Sequence, residues 1–460
     1  MTDSMLSVTL KQLTETKITV SVIGLGKMGL PLASIIASNG YKVIGVDINS
    51  ELVEELNKGK VPFDEPKVPE LLRKALEKNK FKATTNLAEA LEEARIIIVI
   101  IPTLTDENNQ LEKKPLKKLY TDIGKNIHSG TVVIQESTVP PGTTKEFLKP
   151  LLEENSGLKV GKDIGLGFAP ERTYSGRVVD DIVERYPKII GAVDGDQVTT
   201  KIMKEFYKRI AKKGVIAVKN AITAEAVKVF KGAYRDVNIA LANQFAIISE
   251  YLNIDVMEAI NAANTEPYSH IHIPGIGVGG HCIPVYPYFI IEKAQAYGYV
   301  PTLLVEGRKS NDYMVKWAVK RVEDVLAGQK TALNEKNVLV LGLAYRGGVK
   351  EHRNSPAIRL VKELKNKKAN VFLDDPLYSE DEILAIAGVK KPTKEELNTI
   401  DIVFITTDHK EYSKDFNVKA FLGVNEKKTI IIYDGRYVVN PQKLENNTIL
   451  LSPGKAPVFK

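Results

Sequence analysis

Cysteine is almost absent: of 460 residues, only Cys282 carries a thiol. An intrachain disulfide is thereby excluded, and a reducing, cytoplasmic setting is expected. Long apolar runs are missing too. The stretch Ile96 to Ile101 is far below the roughly 20 residues a membrane helix needs, and reads instead as a buried parallel strand. Residues 1–17 have no long apolar block followed by a small-residue cleavage site. They are expected to form an unstructured or loosely docked extension rather than a secretory signal. Low-complexity segments and short-period repeats are lacking. The formal charge of +7 is scattered in pairs such as Lys113-Lys114 and Lys117-Lys118, which read as solvated helix faces. A mild positive field suits an anionic nucleotide ligand; neither nucleic acid nor membrane is an expected partner, and no metal site is expected.

What is present is enough apolar residue, 43% of the chain, to bury more than one core, since single cores stop growing at roughly 250 residues. From Ile18, short β-branched runs alternate with amphipathic stretches: Ile18 to Ile23, Lys42 to Asp47, Ile96 to Pro102, Thr131 to Glu136, Gly165 to Ala169 and Lys188 to Ala192. Such alternation implies crossover connections and a parallel sheet covered by helices on both faces. A long helical segment without proline follows, from about Thr223 to Tyr251, and is expected to join two halves and offer a dimer surface. Further strands are predicted at Lys336 to Leu341, Val371 to Asp374, Ile402 to Thr406 and Thr429 to Tyr433. The fold class is therefore α/β, with two doubly wound, Rossmann-like domains joined by a helical central region. The expected boundaries are 18–219 for the first domain, 220–330 for the centre and 331–460 for the second domain.

Gly24-Leu25-Gly26-Lys27-Met28-Gly29 follows the first predicted strand and opens a helical stretch. The first glycine permits a tight turn, the second lets backbone approach a pyrophosphate, and the third lets helix pack on strand. The next strand ends at Asp47, about 20 residues further on, where a carboxylate can accept both ribose hydroxyl hydrogens. Asp47 is also turn chemistry, in Asp-Ile-Asn-Ser. A carboxylate there repels a 2′-phosphate, so NAD is expected in preference to NADP.

Five separated motifs then stand in one order. They are the glycine loop, Glu136-Ser137-Thr138-Val139-Pro140-Pro141-Gly142-Thr143-Thr144, Ala169-Pro170-Glu171-Arg172, the Lys228 helix, and Gly277-Val278-Gly279-Gly280-His281-Cys282. In these the chain resembles the UDP-glucose/UDP-N-acetylmannosamine 6-dehydrogenase family, from about residue 18 onward. The resemblance implies an NAD-dependent oxidation of a sugar CH₂OH to a carboxylate, a four-electron reaction that needs two hydride transfers and a held aldehyde. Cys282 matches the family's nucleophile, which would carry a thiohemiacetal and then a thioester. Lys228 matches the acid/base, and Glu171 the group that helps activate water. On a helix, Lys228, Gly232 and Arg235 share one stripe. Lys228 with Glu225 at i−3 is also what an ordinary solvated lysine looks like.

The resemblance further implies nucleotide contacts at Lys27, Met28, Thr103, Thr138 and Arg353. Substrate contacts are implied at Arg172, Thr173, Lys228, Gly232, Arg235, Asn238, Tyr268, His272, Gly280, Tyr345 and Arg346. Tyr234-Arg235-Asp236-Val237-Asn238-Ile239-Ala240 resembles the N-acetylhexosamine branch more than the UDP-glucose branch, so UDP-N-acetyl-D-mannosamine is the expected substrate and a homodimer or larger homo-oligomer the expected assembly. UDP-glucose or another UDP-N-acetylhexosamine stays open, as do a one-step hydroxy-acid dehydrogenase and a catalytically silent NAD-binding protein. Three positions depart from the family pattern: Gly232 replaces asparagine, Tyr286 aspartate and Arg346 lysine. The arginine that a neighbouring subunit lends is replaced by Tyr268, with His270 and His272 nearby. Loss of the aspartate removes a carboxylate from beside the thiol, so thiol tuning or water activation is arranged differently here.

Overall fold

The computed structural model describes residues 5–107, 109–174, 176–412, 416–425 and 427–460. The chain divides into two compact units: Met1–Lys231 with Tyr288–Tyr297, and Gly232–Pro287 with Gly298–Lys460.

The first unit is built on eight strands: β1 (Thr19–Ile23), β2 (Lys42–Val46), β3 (Phe81–Thr84), β4 (Ala94–Val99), β5 (Val132–Gln135), β6 (Gly165–Phe168), β7 (Lys188–Ala192) and β8 (Val215–Ala217). They lie in the order β3-β2-β1-β4-β5-β6-β7-β8. Strand order reverses beside β1, which is the doubly wound pattern, and ligand crevices form at the carboxyl ends next to such a switch. Strands β1, β5 and β7 are buried along their whole length, as the continuous Val/Ile runs require of a sheet covered on both faces.

Two expectations need correction. The sheet is not wholly parallel, because β7 runs antiparallel to β6. Between them stand only two short helical turns, Val178–Asp180 and Asp181–Arg185, too short to carry the chain back along the sheet for a parallel partner. Nor is the N-terminal extension loose: from residue 5 it forms helix α1 (Met5–Thr14). Leu6 and Leu13 are fully buried in the first core with Phe206 and Tyr207, and Thr9 Oγ1 donates to Gly130 O at 2.6 Å. Amphipathic spacing of Leu6, Leu10 and Leu13, at i, i+4 and i+7, is the signal for that docking.

The second unit holds a six-stranded sheet, β9 (Asn337–Leu341), β10 (Asn370–Asp374), β11 (Ile402–Ile405), β12 (Ile430–Asp434), β13 (Thr448–Leu451) and β14 (Val458–Phe459). Its order is β10-β9-β11-β12-β13-β14, parallel except for β14. The helices Thr302–Gly328 and Pro356–Asn366 cover one face, where Val319, Val322 and Leu360 pack on Val338 and Val340. The expected strands are all present; β13 and β14 are additional.

The long helix spans Ala221–Leu252, 32 residues, or about 48 Å at 1.5 Å per residue. The division between the units falls within it, after Lys231. Among the described residues no helix is long and apolar enough to cross a membrane.

Candidate functional site

The glycine loop of the first unit fits a dinucleotide. Gly24 has φ +97°, and a Cβ there would stand 2.7 Å from Ile100 O; at Gly29 it would stand 1.8 Å from Gly24 O. Both positions tolerate no side chain. A Cβ on Gly26 would meet nothing within 4 Å, which is the open side where backbone is exposed to a ligand. Asp47 Oδ2 accepts from Leu25 N at 2.8 Å and Oδ1 from Asn49 N at 3.0 Å. The carboxylate thus fastens the loop and makes the turn, and each oxygen keeps a lone pair for a ribose hydroxyl. Lys27 is exposed. Thr103 and Thr138 lie just beyond the carboxyl ends of β4 and β5. Thr173 donates to Met28 Sδ at 3.1 Å, so this expected substrate residue stands against the cofactor loop.

After β6, the same unit gathers buried charge. Lys188 Nζ, at the start of β7, lies 2.9 Å from Glu171 Oε2 and 3.0 Å from Glu136 Oε2. The Tyr207 hydroxyl donates to the other oxygen of Glu136. Burial pushes the Glu136 carboxyl above its ordinary range, opposed by the Lys188 ammonium. Lys228 donates to the Glu171 backbone carbonyl, which ties its side chain to the main chain of the other expected catalytic residue in this unit. Arg172 donates to Pro187 O and lies over the Tyr186 ring. Glu225 is no surface counter-ion for Lys228. It is fully buried and accepts from Gly142 N at 2.6 Å, Thr144 N at 2.8 Å and Thr144 Oγ1, and burial pushes it up to about 7 against those donors.

In the second unit, Cys282 is a free, half-buried thiol at the end of the glycine loop. The loop is tied down at three points: Gly280 N donates to Arg353 O at 2.8 Å, Asn354 Nδ2 to Gly280 O at 3.0 Å, and Arg359 Nη2 to Val278 O at 3.2 Å. Tyr345 packs on it, with its Cβ 2.5 Å from where a Gly279 Cβ would stand and its ring 3.2 Å from that of Gly280. These glycines are therefore needed for close approach of an aromatic ring. The Tyr286 hydroxyl donates to Cys282 Sγ at 3.1 Å.

Other expected contacts in this unit are used structurally. Asn238 Nδ2 donates to His270 O at 2.7 Å and its Oδ1 accepts from His272 N at 2.9 Å, so it holds the 270–272 segment in place. Burial, then the positive charge of Arg235, keeps His272 below its ordinary value and favours the neutral ring. Tyr268 is 91% exposed, and Arg346 is half-buried. Arg353 belongs to the Cys282 unit, not to that of the glycine loop.

Lys188, Glu136 and Tyr207 were not singled out from sequence as site residues. Their signal was faint: a lysine opening an apolar strand and a glutamate ending one, positions where a charge is buried only if paired. Asp375 was missed as well. It is fully buried, and its Oδ2 accepts from Leu343 N at 2.7 Å, Ala344 N at 2.9 Å and His409 Nε2 at 3.1 Å, repeating at Gly342 the loop fastening that Asp47 provides at Gly24. Among the described residues no group of three or more His, Cys, Asp or Glu could hold a metal ion.

Three family models match in succession: the UDP-glucose/GDP-mannose dehydrogenase family's NAD binding domain over residues 18–211, its central domain over 222–313 and its UDP binding domain over 339–441. The chain is 36% identical over 422 residues to a UDP-N-acetyl-D-mannosamine dehydrogenase of Pyrococcus horikoshii, covering 91% of this chain and 96% of that one. It is 32% identical over 425 residues to a UDP-N-acetyl-D-glucosamine 6-dehydrogenase of Pseudomonas aeruginosa, covering 92% and 98%. A solved structure of the UDP-D-ManNAc dehydrogenase from Pyrococcus horikoshii superposes with a TM-score of 0.84 at 33% identity, covering 95% of this chain and 99% of that chain.

Proposed function

Given that the chain belongs to the UDP-glucose/GDP-mannose dehydrogenase family and is an NAD-dependent oxidoreductase, we propose that it oxidises C6 of UDP-N-acetyl-D-mannosamine from alcohol to carboxylate through a thioester on Cys282. The observation that carries this reading is the chain's one thiol, held at the end of a glycine loop pinned at both Val278 and Gly280. A one-step alcohol oxidation needs no such thiol. NAD, when bound, accepts the two hydrides, one cofactor molecule for each.

Lys228 takes the alcohol proton as the first hydride leaves and steadies the aldehyde oxygen. The Cys282 sulfur then attacks the aldehyde carbon, forming a C–S bond while the carbonyl π pair moves to oxygen and is protonated. Loss of the second hydride and of that proton gives the thioester. Water, directed by Glu171, adds to the acyl carbon and expels the thiol. Arg172, Thr173, Gly232, Arg235, Asn238, Tyr268, His272, Gly280, Tyr345 and Arg346 hold the sugar nucleotide in this reading. Guanidinium groups suit its diphosphate, which they can grip through two parallel hydrogen bonds. Thr103, Thr138 and Arg353 complete the cofactor contacts.

The test is a panel of UDP-sugars with NADH counted per carboxylate formed. UDP-N-acetyl-D-mannosamine is expected to give the highest kcat/KM and two NADH per product. A preference for the glucosamine epimer, favoured by the 32% identity to the Pseudomonas aeruginosa enzyme, would replace the proposed substrate but keep the chemistry. Binding of NAD without NADH formation from any UDP-sugar would sink both.

The working form is proposed to be a homodimer. Tyr234, Leu241, Phe245, Ile248 and Leu252 are exposed on the long helix at spacings of 7, 4, 3 and 4, one continuous stripe. Val229, on the same helix, lies off that stripe and is buried. Sedimentation is expected to give a dimer or a multiple of it; a fully active monomer at assay concentration removes the proposal.

A further inference from the structure

Two departures from the family pattern meet at one point. A Cβ on Gly232 would stand 2.4 Å from Tyr286 Cδ2 and 3.1 Å from its Cβ and Cγ. The tyrosine ring therefore fills the space that a side chain at 232 would need, and glycine there is what seats the ring. Tyr286 opens the helix Tyr286–Gln295, and its N–H donates to Cys282 O at 2.9 Å. That turn sets the two side chains on one face, where the phenol donates to Sγ at 3.1 Å. The ring is 7% exposed, so solvent does little to compete for the contact.

We propose that Tyr286 is a positioning residue that holds the Cys282 sulfur as a hydrogen-bond acceptor and aims it for attack. The inference rests on the reading of Cys282 as the nucleophile. A donor on sulfur fixes the direction in which its remaining lone pairs point, and the bond is stronger when the acceptor carries negative charge. A carboxylate at 286 works in the opposite sense, because when ionised it offers no proton and its charge repels a second negative charge at sulfur. Tyrosine at 286 is thus an exchange of an anion for a neutral donor, and Gly232 is its steric complement. Tyr345, Arg346, Arg235 and Glu351 make up the polar surroundings: burial raises the Tyr345 hydroxyl above its ordinary value, Arg346 and Arg235 oppose the rise, and Cys282 and Glu351 add to it.

Because Cys282 is the only cysteine, alkylation by iodoacetamide reports on that thiol alone and needs neither sugar nor cofactor. Tyr286→Phe keeps the ring and deletes the donor. Its alkylation at pH 7 is expected to be about tenfold slower than wild type, the size of one ordinary hydrogen bond to a charged group, with the difference abolished in denaturant. With substrate, kcat is expected to fall similarly at unchanged KM. Alkylation of folded Tyr286→Phe at the wild-type rate overturns the proposal, whatever the substrate proves to be. If that variant fails to fold, Gly232→Ala displaces the ring instead of trimming it; slower alkylation supports the proposal and an unaltered rate overturns it. Turnover by a protein lacking Cys282 defeats the nucleophile reading without altering the alkylation result, so the two failures are distinguishable.

Discussion

Cys282→Ala is expected to bind NAD and the UDP-sugar yet form no carboxylate, with turnover falling on the order of a thousandfold or more, as when a covalent nucleophile is deleted. Binding survives because the thiol is one half-buried group on a loop whose shape is set elsewhere, by Arg353 O, Asn354 and Arg359. Alanine removes no atom from those anchors. Chemistry fails because the aldehyde, once formed, has no sulfur to hold it in the state that surrenders the second hydride, so at most one NADH per sugar can appear. Cys282→Ser separates nucleophilicity from geometry: the Tyr286 phenol can still donate, but a neutral hydroxyl without an adjacent base attacks poorly. Trace product is expected. The deciding measurement is carboxylate and NADH yield from the alanine variant. Sustained turnover at two NADH per sugar would show that Cys282 only packs.

How much of this could be read in the sequence depends on how local each signal is. The glycine loop was legible because turn, close approach and helix packing all fall within six residues, and Gly24, Gly26 and Gly29 each behave as that pattern requires. The long helix was placed within about two residues of Ala221–Leu252, since an unbroken period of 3.6 over many turns is hard to mistake. Strand β8, of three residues, carries too short a pattern to register, and β3, Phe-Lys-Ala-Thr, breaks its apolar run at the exposed Lys82. The reversal of β7 was hidden for another reason. Direction depends on the path of residues 169–187, not on the apolar run of the strand itself. The thiol's surroundings were half legible: Tyr286 and Gly232 stood out as two unrelated departures, and only the clash that a Cβ at 232 would make with the Tyr286 ring makes them one exchange.

The hardest feature to read was the Lys188 cluster, and replacing Lys188 by methionine is the second change with a large expected effect. Lys188 is 7% exposed and faces a Glu136 carboxyl whose side chain is wholly buried. Methionine fills the same volume but leaves that carboxyl and Glu171 without the ammonium that lies 3.0 and 2.9 Å from them. Removing one partner of a buried ion pair destabilises by about 3 to 5 kcal/mol, because the remaining charge stays out of water. The sign of the pH dependence follows from Glu136. Burial already holds it above its ordinary value with Lys188 pulling the other way, so loss of Lys188 raises it further. A carboxyl whose folded value is raised contributes stability that is fully present below its unfolded value, about 4.3, and lost as pH rises through the folded one. The deficit of Lys188→Met against wild type should therefore be small near pH 4.5 and grow toward pH 8. Adding Glu136→Gln removes the stranded charge, so the double variant is expected to recover part of the loss, a coupling of roughly 1 to 3 kcal/mol. Glu171 loses its holder in both variants, and its carbonyl is the acceptor for Lys228, so kcat should stay low even where stability returns. Urea unfolding at several pH values, with turnover measured alongside, reads both effects. A loss below about 1 kcal/mol that does not vary with pH would mean that Lys188 only fills space, and that Glu171 owes its position to something other than this charge.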